Sequence, residues 1–94
     1  MKTKVTPFYA DEYLETDEDL KLFLQDMAEN GTSEDFINGL NTVARAKGMT
    51  EIAKQAGVTR ASLYKSLAED GNPRFDTINK VVNALGLRLT VEAS

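Results

Sequence analysis

An all-α bundle of about five helices, closed by a short C-terminal β-strand, is the fold class this sequence predicts. Three features predict it. Apolar residues recur at i, i+3, i+4 and i+7 through most of the chain, the period of a helix with one buried stripe. Glycines at 31, 48, 57 and 86 fall where each periodic run stops. After Gly86 the period changes, and apolar residues alternate with polar ones as they do along a strand. The 94 residues suffice for a single domain, and an apolar content of 41% suits a globular chain. A chain this short buries a modest share of its surface and often gains stability by pairing with a second copy.

Residues 1–15 are expected to form an N-terminal arm with one short helical turn. Pro7 disfavours helix at Thr6, and residues 10–14 can close a turn with Tyr13 and Leu14 packing down. Thr16 begins the first full helix. Thr16 and Asp19 have capping-box spacing, and Asp17, Glu18 and Asp19 suit the positive end of the helix dipole. Leu20, Phe23, Leu24 and Met27 form its buried stripe, and Asn30-Gly31 ends it. Ser33 is expected to cap the next helix, whose inner face is Phe36, Ile37, Leu40, Val43 and Ala44. Lys47-Gly48 ends that helix. Arg45 and Lys47 in its last turn suit the negative end of the dipole or a phosphate contact, and both roles stay open.

Residues 49–67, MTEIAKQAGVTRASLYKSL, are the stretch around which the chain is organised. Ile52, Ala53 and Ala56 share one side of a short helix, and Ala53 is small enough for a second helix to cross over it. Gly57 stands where the chain must leave that helix through positive φ. Val58 fills the angle, Thr59 caps a second helix, and Leu63 and Leu67 hold that helix to the core. This is the layout of a helix-turn-helix whose second helix enters a DNA major groove; a purely structural helix pair is the competing reading. A turn-rich connection over 68–74 follows, then a last helix with Phe75, Ile78, Val81, Val82 and Leu85 on its buried face. Leu87, Leu89 and Val91 alternate with Arg88, Thr90 and Glu92, so a strand is expected over 87–92. A lone strand needs a backbone partner, within the chain or in a second copy, and pairing of two copies makes a symmetric dimer.

Composition excludes several chemistries. The chain has no cysteine and no histidine, which removes disulfides, thiol catalysis, the commonest metal ligands and the usual general base. No phosphate-cradling glycine loop occurs, and the carboxylates at 17–19 suit a helix start better than acid–base catalysis. Neither an enzyme nor a bound cofactor or metal is therefore expected. The absence of an apolar run of membrane-spanning length, and of a signal-peptide core, fits a cytoplasmic chain.

The formal net charge of −4 at first argues against a nucleic-acid partner, but its distribution reverses that. Residues 1–44 carry three lysines against ten carboxylates, whereas residues 45–80 carry seven cations against four carboxylates. The basic segment coincides with the helix-turn-helix. The acidic half is either a surface for a second partner or a solvated face that keeps the chain soluble.

Six residues are candidates for DNA contact. Arg60 and Ser62 lie in the first turn of the second helix, nearest the groove, where an arginine fork can pair with guanine. Tyr64 and Lys65, one turn on, reach phosphates or the next base, though Tyr64 equally suits half-buried packing. Thr59 can cap its helix and touch a phosphate, and Lys54 on the first helix suits a phosphate clamp. Arg74 reaches backbone from the following loop or stands idle.

With these residues in view, the helix-turn-helix resembles the lambda-repressor-like DNA-binding domains. More narrowly, residues 48–89 resemble the addiction-module antidote proteins, antitoxins related to the HigA type. The similarity is carried by Gly48-Met49-Thr50, Ile52-Ala53, Ala56-Gly57-Val58-Thr59-Arg60, Leu63-Tyr64-Lys65 and Leu67. It continues through Asp70-Gly71-Asn72-Pro73, Phe75, Thr77, Lys80-Val81 and Ala84-Leu85-Gly86-Leu87, with Tyr13-Leu14 and its following acids similar too. One departure is plain. Lambda-repressor-like domains usually carry a glutamine-containing turn before the motif, whereas here Thr50 runs straight into Glu51 and Ile52, so no glutamine contact carries over. The resemblance implies a homodimer that binds double-stranded operator DNA, represses its own operon and neutralises a small basic toxin of the RelE/ParE-like type. A free-standing helix-turn-helix regulator with no toxin is the alternative.

Overall fold

The computed structural model describes residues 16–68 and 70–94; the expected N-terminal arm and helical turn over 1–15 lie outside the described residues. Among those described, the chain forms five α-helices. They are α1 (Asp17–Asn30), α2 (Ser33–Lys47), α3 (Met49–Ala56), α4 (Arg60–Leu67) and α5 (Phe75–Ala84).

Helix α2 is the hub, lying against each of the other four. Leu40, Val43 and Ala44 on its inner face are essentially sealed from solvent. Gly39 is buried on the same helix, and a Cβ added there would come within 3.2 Å of Met27, 3.3 Å of Leu24 and 3.4 Å of Phe23. The absent side chain is what lets α1 press its apolar stripe onto α2. From the other side, α5 brings Val81, Val82 and Leu85, and α3 brings Ile52 and Ala53, into one continuous core.

The helix ends follow local hydrogen-bonding chemistry. Thr16 Oγ1 accepts from the Asp19 N–H at 3.0 Å, starting α1. The cap of α2 is Thr32 rather than the expected Ser33. Thr32 Oγ1 accepts from the Asp35 N–H at 3.1 Å, while the Asp35 carboxylate accepts from the Thr32 N–H at 2.9 Å. A reciprocal box needs an acid three residues after the cap; Ser33 has Phe36 there, so one step back satisfies two donors instead of one.

Two expectations near the C-terminus are corrected. Phe75, expected on the buried face of the last helix, is 71% exposed. It is the first residue of α5, and a helical side chain leans toward the N-terminus, so Phe75 projects past the end of the core and the stripe begins at Ile78. The strand expected over 87–92 is not formed within the chain. An alternating sequence becomes a strand only when another extended backbone offers it donors and acceptors, and no strand occurs among the described residues. Leu87 N–H instead donates to Val82 O, closing the end of α5, and Leu87 packs on the core. Leu89 and Val91 remain exposed, Val91 almost completely. Residues 86–90 and 92 line a cleft of about 750 Å³ together with Phe36, Val82 and residues of α1 from Leu24 to Glu29.

No helix among the described residues is long and apolar enough to cross a membrane.

Candidate nucleic-acid interface

Helices α3 and α4 meet at an angle set by three local features. Gly57 ends α3 in the left-handed region, with φ 76° and ψ 30°. The Gly57 N–H donates to Lys54 O and the Val58 N–H to Ala53 O, which satisfies carbonyls that the helix end would leave bare. Thr59 Oγ1 then accepts from the Ser62 N–H at 3.0 Å, so α4 begins at Arg60. Leu63 and Leu67 are fully buried and fix one face of α4 inward. The rotation of the helix is thereby decided, and its other residues turn outward.

All six candidate residues lie on this outer surface. Arg60, Ser62, Tyr64 and Lys65 are exposed along α4, Thr59 is exposed at its cap, and Lys54 is exposed in the last turn of α3. No carboxylate belongs to α4. Thr59 already uses its oxygen as an acceptor, which leaves its hydroxyl hydrogen to donate. Glu51, the acid nearest the motif's start, accepts from the Gln55 side chain at 2.8 Å along the exposed side of α3. Arg74 is exposed at the N-cap of α5.

The structure separates the two cations at the end of α2. Lys47 Nζ bonds the Asp17 carboxylate at 2.6 Å, tying the end of α2 to the start of α1. The hydrogen bond from Lys47, and then its charge, hold the Asp17 carboxyl below the ordinary aspartate value. Arg45 turns the other way. Its guanidinium carbon stands 5.8 Å from the centre of the Tyr64 ring, and that of Arg60 stands 5.4 Å from the same centre. Arg60 holds the Tyr64 hydroxyl below the usual phenol range, first by hydrogen bonding to its ionised form; partial desolvation opposes this, and Arg45 adds a smaller pull. Arg45 therefore joins the α4 surface, although nineteen residues separate it from Tyr64 in the chain. Sequence spacing alone carries no signal for that meeting, because it depends on how α2 crosses α4.

The carboxylates lie mainly on α1 and the first turn of α2. Glu18, Asp26, Glu29, Glu34 and Asp35 are exposed there, with Leu22 exposed among them. Asp26 accepts from Asn30 at 2.7 Å and Asp35 serves the Thr32 cap.

Comparison with known proteins adds three findings. A family model described as "Probable addiction module antidote protein" matches residues 4–93. A protein of Haemophilus influenzae Rd, described only as uncharacterized, is 36% identical over 94 residues, spanning all of this chain and 97% of its own length. No solved structure matches the chain.

Proposed function

Since this chain belongs to the family of probable addiction module antidote proteins, we propose that it neutralises a small basic toxin by direct binding. We also propose that it binds operator DNA as a homodimer, repressing its own operon. The observation that carries the DNA half is α4. It is an exposed helix without a carboxylate, locked by Leu63 and Leu67, with Arg60, Ser62, Tyr64 and Lys65 outward and Lys54 beside it. Cations hold phosphates; an arginine fork and a hydroxyl at the front of the helix read base edges.

The division of charge supports the toxin half. Exposed carboxylates of α1 and the α2 start attract a basic protein without drawing it onto the DNA-binding surface. Dimer formation has its support in the C-terminal segment, where Leu89 and Val91 are exposed and the alternating pattern has no backbone partner within the described residues. A second copy would supply that partner, and two copies would read two half-sites.

The test is co-expression of the tagged chain with the small basic protein encoded beside it, then purification and a mobility-shift assay on the operon's upstream DNA. A tight complex that shifts that DNA is the expected result. A shift with no bound protein would mean a free-standing regulator. Absence of any shift would remove the DNA half.

A further inference from the structure

Arg45 and Arg60 place two like charges on one exposed tyrosine. Both guanidinium carbons stand within the roughly 6 Å reach of a cation–π contact with Tyr64, at 5.8 and 5.4 Å. Such charges repel, and among the described residues no carboxylate answers them. The ion pairs there are Lys47 with Asp17 and Lys80 with Asp76. The ring's negative face offsets part of the repulsion; an anion bound between the two forks would offset more. Tyr64 can serve as a fixed platform because Leu63, its neighbour on α4, is fully buried and sets the orientation of that turn. The other cation of the last α2 turn, Lys47, is instead drawn back to α1.

We propose that Tyr64 is a positioning residue that holds Arg45 beside Arg60, so that α2 contributes a phosphate-binding cation to the DNA surface built by α4. This rests on the DNA-binding function proposed above. Arg45 grips a phosphate oxygen pair through its planar fork. Arg60, at the front of α4, is thereby braced for the groove. Tyr64 acts through its ring, and its own contact to DNA is secondary. A surface arginine otherwise wanders among rotamers, and holding two of them before DNA arrives reduces the ordering cost of binding.

The test uses the full-length chain, a fluorescent duplex from upstream of its own coding region and a second duplex of scrambled sequence, titrated across a potassium chloride series. Arg45→Ala should weaken binding to both duplexes and lower the slope of log affinity against log salt by about one. Tyr64→Phe, which keeps the ring, should preserve the salt slope that Arg45 contributes, whatever the missing hydroxyl costs in affinity. Tyr64→Leu should weaken binding, and adding Arg45→Ala to it should change little further, because the arginine has already lost its support. An unchanged slope in Arg45→Ala, or losses that simply multiply in the double variant, would overturn the proposal while leaving DNA binding by α4 intact. If the wild-type chain binds neither duplex, the DNA function fails and the proposal falls with it. A readout without DNA separates the two cases. In NMR titrations Tyr64 should ionise below an ordinary phenol and move back up in Arg60→Ala and, less, in Arg45→Ala. Tyr64 ring resonances unmoved in both Arg45→Ala and Arg60→Ala would show that the ring and the guanidiniums do not meet, and would overturn the proposal directly.

Discussion

Gly57 is the residue on which the angle between α3 and α4 depends. At φ 76° it occupies a region that costs an L-residue about 1–2 kcal/mol, and a Cβ there would meet nothing within 4 Å. Gly57→Ala should therefore lower stability by about that amount through backbone strain alone, read as a shift in the urea midpoint with an unchanged slope. The ionic clasp between the end of α2 and the start of α1 is a second residue-scale prediction. Lys47 depresses the Asp17 pKa. A carboxylate whose folded pKa lies below its unfolded value adds stability that is fully present above the unfolded value. That stability is lost as pH falls through the folded one. Lys47→Ala should return the Asp17 midpoint toward the ordinary 3.8 in an NMR titration; an unmoved midpoint would mean the pair is not formed in solution. Both effects differ in legibility. The positive φ at Gly57 follows from its place between two helical stripes. The Asp17–Lys47 pair joins residues thirty apart, and Lys47 read by itself suits a dipole or a phosphate equally well.

Helix positions were legible where one apolar stripe governed the packing. The runs at 20–27, 36–44 and 78–85 supply the cores of α1, α2 and α5, because 3.6-residue periodicity states which face is buried. Element ends were less legible, since they depend on single hydrogen bonds. Thr32 displaces Ser33 as a cap through its reciprocal bond with Asp35, and Phe75 falls outside the core by being first in its helix. Gly39 was not legible as a packing residue, because nothing in a helical run says which residue another helix will cross. Its burial yields a prediction at this scale. Gly39→Leu should drive side-chain atoms into Met27, Leu24 and Phe23 and destabilise the chain by about 1–3 kcal/mol. Denaturant unfolding measures this, and an undiminished midpoint would mean that α1 can lift away from α2 at no cost. Alternation over 87–92 was visible but insufficient. It describes a strand's two faces, while the strand itself requires a neighbour that the described residues do not provide.

At the scale of the molecule, the fold sorts the chain's charges onto separate surfaces. Carboxylates gather on α1 and the start of α2, and cations on α3, α4 and the last turn of α2, the two regions meeting at the Lys47–Asp17 pair. This lets a chain of net charge −4 offer a local surface suited to a polyanion. The six candidate residues were legible because they fall between core positions of α3 and α4; Arg45 joined them only through the crossing of α2 over α4. The central claim is that α4 reads operator DNA, and Arg60→Ala tests it most directly. Titrated beside the wild-type chain on the upstream duplex and on a scrambled one, it should lose about 1–3 kcal/mol on the upstream sequence and blur the preference at one base pair. Arg60→Ala affinity indistinguishable from wild type on both duplexes would contradict the account.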